Sequence, residues 1–263
     1  MKNPGKLSIT MLALAFIIGS MSLPSTTFSS ATSVGSLKNL SVSPPNGNMF
    51  PLSTASPSSA RGSLGNPGVM PPQSNLGGKS YAEWSAAWWQ WTMSHPFSQF
   101  NDPTGQFFAV DQSGSVWFLP GSISANERSC TIPSDKYLVC PLILFINDFP
   151  CPDTTFHPAP GQSMEDFLTA GAKAVIDGIT PPSLEVDGVA LQNRTSYRAT
   201  SKLFTFTGDL SMQAFDPCVT GSPQVGVSDG YLVILKPLPP GTHTLHYSGF
   251  GDVIIHLTVA KVK

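Results

Sequence analysis

Charge is scarce in this chain. Of 263 residues only 11% are Asp, Glu, Lys or Arg, and the formal net charge is −2. Such a surface has no basic face with which to neutralise phosphates, so nucleic acid is not an expected partner. Phosphate loops, dinucleotide fingerprints and the G-x-S-x-G elbow of serine hydrolases are all missing, which leaves nucleotide chemistry and acyl transfer without support. No cofactor is expected. Long apolar runs are missing beyond Met21, so no later segment approaches the ~20 residues that span a bilayer. Once its leader is removed, the chain is expected not to insert into a membrane.

Cysteine is sparse as well: Cys130, Cys140, Cys151 and Cys218 are the only four. No C-x₂₋₄-C pair is among them, which argues against a zinc site. An even number in an exported chain favours two disulfides. In CTIPSDKYLVC, Cys130 and Cys140 flank the turn-rich Pro133-Ser134-Asp135-Lys136 between two β-type runs. Folding that stretch as a hairpin brings their sulfurs together and leaves Cys151 to pair with Cys218. Export itself is read from the N-terminus. Lys2 and Lys6 precede the apolar run Leu7–Met21, and Ser29-Ser30-Ala31 supplies small residues for cleavage. Residues 1–31 therefore read as a signal peptide, and the mature chain as secreted or extracytoplasmic, at the cell surface or in a periplasm.

Residues 32–79 are rich in Ser, Pro, Gly and Asn and show no hydrophobic period, the composition of a disordered linker. The folded domain is expected over residues 80–263. It opens on SYAEWSAAWWQWTMSHP, in which Ser80 and Glu83 fit a capping box and Pro96 ends the helix. On that helix Tyr81, Trp84, Trp88 and Trp91 form one stripe, expected to be the packing face. Trp89 falls about 100° around from Trp88, off the stripe.

A second helix is expected at Met164–Asp177, capped by Ser163 and apolar along Phe167, Leu168, Gly171, Ala174 and Val175. Short β-type runs occupy most of the rest, among them Phe107–Val110, Ser115–Leu119, Arg128–Ile132, Tyr137–Ile146, Leu203–Thr207 and Tyr231–Lys236. The almost wholly apolar YLVCPLILFI suits a strand covered on both faces, with an edge or bulge at Pro141. Asp187-Gly188 marks a type I′ hairpin. At the C-terminal end, pairing Tyr247 with Val253 puts Leu245, Tyr247, Val253, Ile255 and Leu257 on one core face. Thr244, His246, Ile254, His256 and Thr258 then share the other. The expected fold is mainly β with two added helices: an antiparallel β-sandwich, Ig-like or jelly-roll-like, with the Trp-rich helix packed on it.

Candidate sites follow from chemistry rather than from any single motif. Trp89, with Gln90 and Glu83 nearby, has the equipment to stack a sugar or another flat ligand. His246 and His256 lie diagonally on one hairpin face and are the best metal candidates, with Asp252 and Asp148 as possible further ligands. Glu83, Asp111, Asp148 and Glu185 come from different elements, and a pair of them could serve acid–base hydrolysis, with Glu83 and Asp148 the catalytic candidates. Asn193-Arg194-Thr195 matches a glycosylation sequon.

The segments YAEWSAAWWQW, DPTGQ, QSGSVWFLPGS, CTIPSDKYLVCPLI and Pro240-Gly241-Thr242-His243 together resemble a family of exported bacterial proteins. Its pattern joins a Tyr-x-Glu-Trp-Ser-Ala-x-Trp-Trp-Gln-Trp helix to a Gly-x-Val-Trp-Phe-Leu strand and a Cys-Thr-Val/Ile-Pro hairpin. The resemblance covers about residues 80–260. It implies export and a single domain but no activity. Cys140 stands where many relatives are expected to carry an aromatic, so a Cys130–Cys140 bridge would not be a family-wide feature. The expected function is non-catalytic binding of a ligand or cell-surface partner, such as a glycan. The alternatives are an extracytoplasmic hydrolase or metal-dependent enzyme, and a structural envelope protein. No oligomeric state follows from the sequence.

Overall fold

The structure is a computed structural model that describes residues 66, 68–123 and 126–262, all within one unit, Ser59–Lys263. The expected signal peptide and most of the expected linker lie outside the described residues. Order begins before Ser80, however. Val69 bridges Leu235, the Met70 N–H donates to the Ile234 carbonyl at 2.8 Å, and Leu76 is buried. Residues 68–79 thus belong to the fold rather than to the linker. Their single hydrophobics have no period because they dock one at a time.

The chain is mainly β, with three helices and two five-stranded mixed sheets. The helices are α1 (Tyr81–Met93), α2 (Phe97–Phe100) and α3 (Met164–Ile176). The strands are β1 (Val116–Phe118), β2 (Asn126–Pro133), β3 (Tyr137–Phe149), β4 (Leu184–Val186), β5 (Val189–Ala190), β6 (Arg198–Thr200), β7 (Phe204–Thr207), β8 (Pro223–Leu235), β9 (Gly241–Ser248) and β10 (Asp252–Ala260). The stretch Phe107–Val110, expected as a strand, is a run of turns instead. Asp102 organises it by accepting from the Thr104 and Phe107 N–H groups at 2.8 and 3.0 Å.

The first sheet has the order β1-β3-β8-β6, and β7 also pairs with β8. Its spine is the long antiparallel pair β3–β8, running from Leu138 opposite Leu235 to Phe149 opposite Val225. Both strands are buried almost throughout, as the unbroken apolar run in β3 requires. The register slips between Pro141 and Ile143, so the proline marks a bulge. Just past the bulge, opposite Leu144, Gly230 has φ +144°, and a Cβ there would stand 2.2 Å from the Ile143 carbonyl oxygen. Only glycine lets the two backbones approach so closely at this point.

The second sheet has the order β2-β10-β9-β4-β5. Tyr247 faces Val253 across β9–β10, and the five residues assigned to the core face are all buried. Asp187 (φ 52°) and Gly188 (φ 76°) turn β4 into β5 with both residues left-handed, as a type I′ turn demands. The all-antiparallel expectation fails in two places: β1–β3 and β2–β10 are parallel.

That second pairing also overturns the expected cysteine hairpin. β2 and β3 are consecutive in sequence yet belong to different sheets, so the turn at Pro133–Lys136 carries the chain from one sheet to the other. The Ser134 N–H bonds to the Ala260 carbonyl of β10 rather than across a hairpin. Cys130 and Cys140 are consequently free thiols, while Cys151 and Cys218 form the expected disulfide. Burial pushes both free thiols up to about 12.

Helix α1 starts with the capping box in place: the Ser80 N–H donates to Glu83 Oε2 at 2.8 Å, and Ser80 Oγ accepts from the Glu83 N–H. Its buried face differs from the expected stripe. Tyr81, Ser85, Trp88, Trp89, Thr92 and Met93 point inward, while Trp84 and Trp91 flank them half-buried. Small polar residues at 85 and 92 hide this face from a purely hydrophobic pattern. α3 is rotated similarly, burying Leu168, Ala172 and Ile176. One continuous apolar core joins the helices and both sheets.

Candidate functional site

Trp89 is not a surface platform. Its ring is 1% exposed, lies edge-on to Trp88 at 4.9 Å and stacks on Phe215 at 6.1 Å. Phe215 in turn packs against Phe100 at 4.7 Å, so the indole is the centre of an aromatic cluster. The two other proposed ligand contacts also have structural partners. Gln90 donates through Nε2 to the Thr205 carbonyl of β7 at 2.9 Å, and Glu83 is spent on the helix cap. The Ser80 N–H and hydroxyl hold the Glu83 carboxylate below its ordinary pKa, which suits a cap and not a proton donor. Trp89 is thus closed to a ligand, while Gln90 and Glu83 are held by partners within the fold.

The Trp84, Trp88 and Trp91 indoles are each anchored by a hydrogen bond to a backbone carbonyl. Trp88 Nε1 donates to the Leu119 carbonyl at 2.8 Å, and Gly121 provides the space for its ring, since a Cβ there would come within 3.1 Å of it. Tyr81 spans two elements: its hydroxyl donates to the Met70 carbonyl at 2.7 Å and accepts from the Ile234 N–H of β8.

The histidines sit where the register places them, on the outer face of the second sheet, but each has its own acid. His246 Nε2 pairs with Asp252 at 2.7 Å and His256 Nε2 with Glu127 at 2.6 Å. They do not converge with a third ligand group, so the proposed metal set is not assembled among the described residues. His243 makes a third pair on this sheet, with Asp187 at 2.7 Å. Partial burial alone would lower its pKa, but the Asp187 carboxylate and the Pro239 carbonyl outweigh that and raise it. Around these pairs the outer face carries Ser129, Thr131, Thr242, Thr244 and Thr258, all at least partly exposed. Glu185 joins the same face in register with His246. Asp111 lies elsewhere, bonded to His95 at 2.9 Å.

Asp148 is the one catalytic candidate in an unusual setting. It is 3% exposed and accepts a short hydrogen bond from Gln224 Nε2. Asp216, which sequence reasoning missed, lies beside it: a carboxylate oxygen of each and the Cys218 sulfur all fall within 4.8 Å of one another. Burial, then the Asp216 charge, push Asp148 up to about 9. The Cys218 sulfur is bonded to Cys151 and offers no thiolate, so two carboxyls remain, fewer than the three protein ligands a zinc site needs. A signal for this pair was present in the sequence: each disulfide cysteine follows an aspartate closely, in DFPC and DPC.

Two concavities stand out among the described residues, and each has room for about 10 Å³, the space of a single water. The first lies between Trp91, Thr92, His95 and Phe107, the second between Val69, Val186 and Leu191. Neither adjoins Asp148. None of the carboxylates singled out in the sequence meets another of them, and no helix of the described residues is long and apolar enough to cross a membrane. No family model, curated protein or solved structure matches this chain.

Proposed function

We propose that this chain is an exported, non-catalytic protein of the family it resembles, with a two-layer β-sandwich of Ig-like or jelly-roll-like type, and that it binds a cell-surface or extracellular partner through the outer face of its second sheet. The observation that carries the reading is that face itself. Glu127, Ser129, His246, His256, Thr242, Thr244 and Thr258 stand on adjacent strands in a regular two-residue alternation. Hydroxyls, imidazoles and carboxylates repeating across a broad sheet suit a hydroxyl-rich partner such as a glycan, which exchanges many single hydrogen bonds. With Trp89 sealed, the helix offers no ring for stacking, and this sheet face is the surface proposed in its place. The disulfide is compatible with an oxidising compartment. The sandwich arrangement draws support from the shared core and from Gly249, where a Cβ would stand 2.8 Å from the Leu142 carbonyl oxygen of the other sheet.

The test is retention of the purified chain on insoluble envelope polysaccharide, compared with a Thr244→Ala/His246→Ala/His256→Ala variant. Binding by the natural chain and at least a tenfold loss in the variant is the expected result. Equal retention of both, or of neither, sinks the assignment of this face. The hydrolase alternative draws on the raised Asp148 carboxyl, and turnover of a glycan lost in Asp148→Asn would establish it instead.

A further inference from the structure

Asp148 and Asp216 have no role in the sheet-face reading, and their placement calls for one of its own. Asp148 is near the end of β3, three residues before Cys151, and Asp216 lies two residues before Cys218. The two carboxyls therefore join the same pair of chain segments as the disulfide does. Gln224, at the start of β8 and 3% exposed, binds both sides. Its Nε2 donates to Asp148 and to the Cys218 carbonyl, the latter at 3.1 Å, while its Oε1 accepts from the Thr220 N–H at 2.9 Å. The Cys218 N–H donates to Asp216 Oδ1 at 2.9 Å.

We propose that Asp148 and Asp216 are a proton-sharing latch, which holds the Cys151–Cys218 corner closed most firmly in acid surroundings and loosens it progressively as they turn alkaline.

Two carboxyls held this close, one of them 3% exposed, favour a shared proton. Two carboxylates within this distance and out of water repel one another, and a single proton converts the repulsion into a hydrogen bond. Asp148, 3% exposed, is the donor, and the half-buried Asp216 is the acceptor, supported by the Cys218 N–H. No cation competes for the role. The groups that face Asp148 are Asp216 and the bonded Cys218 from the loop before β8, and Gln224 from β8 itself. Gly226 stands opposite it in the sheet, Phe206 of β7 opposite Gln224, and among the described residues neither acid forms an ion pair with lysine, arginine or histidine.

The sign of the pH effect follows. The closed corner holds a proton that the opened corner, with an ordinary aspartate, releases near pH 4. Stability from the latch is complete below that value and is lost as the pH rises toward about 9, where the closed form also lets its proton go.

The experiment is amide hydrogen exchange on the oxidised chain, with each rate divided by its intrinsic rate at the same pH. Protection of the Cys218 and Thr220 amides should fall about tenfold per pH unit between pH 6.5 and 9. In Asp148→Asn the new amide donates to Asp216 and its carbonyl accepts from Gln224, so protection should stay level. A level response in the natural chain, or equal slopes in both, overturns the latch. Infrared spectroscopy of the natural chain gives a second readout that needs no variant. A protonated carboxyl band at pH 7 that vanishes by pH 10 supports the proposal, and its absence at pH 7 refutes it. So does a divalent ion found bound by elemental analysis and removed by chelator.

Discussion

At the scale of single residues, Trp89 carries the clearest consequence. It is wrapped by Trp88 and Phe215, and its indole N–H has no acceptor. Truncation to alanine should cost about 3–5 kcal/mol by the usual loss on emptying an aromatic core site. Trp89→Phe should cost clearly less, because it removes an orphaned donor along with part of the ring. Trp91→Ala, on the half-buried flank, should fall below Trp89→Ala. Denaturant unfolding followed by far-ultraviolet circular dichroism checks the order, and a Trp89→Ala chain as stable as the natural one would contradict the packing described above. The sequence misleads here for a physical reason. A regular aromatic spacing outweighs Ser85 and Thr92 in any hydrophobic pattern, yet both are buried. Ser85 is tolerated because its hydroxyl returns to the Ala82 carbonyl at 2.8 Å.

Among elements, legibility divides by range. The capping box of α1, the Asp187-Gly188 turn, the Pro141 bulge and the β9–β10 register were all readable, because each is set by residues within one turn or one hairpin. The crossing from β2 to β3 was not readable. A turn-rich tetrapeptide between β-type runs is compatible with a hairpin and with a passage between layers, and only β10, far along the chain, decides it. Arg128 adds to the cost of a wrong choice. It is buried on the inward side of β2, and its guanidinium is held by the Gly121 and Pro120 carbonyls and the Phe108 ring at 5.1 Å. The observed path predicts that two thiols per chain become reactive when the protein is unfolded without reductant, and that neither reacts in the folded state. No reactive thiol on unfolding would restore the Cys130–Cys140 bridge.

For the molecule as a whole, the Cys151–Cys218 disulfide spans a sequence separation of 67 and ties the end of β3 to the loop before β8. Closing a loop of that length contributes about 4 kcal/mol in the chain-entropy model. Replacing both cysteines by alanine should lower stability by roughly that amount, read from the urea midpoint. A loss below about 1 kcal/mol would mean that the surrounding acids and Gln224 already hold the corner by themselves. The candidate site was only half legible on this scale. Asp148 could be singled out by its residue type and its place at a strand end, while its partner depended on a disulfide that brings distant segments together.

The position of β10 reaches further than the sheet it completes. It lies between β2 and β9, so the earliest strand of that layer finds its neighbour only when the last one arrives. A nascent chain must therefore keep β2 unpaired until about 120 further residues have been made. Such late closure ties completion of the second sheet to its most distant strand, so damage to β10 should leave β2 without any partner in the sheet.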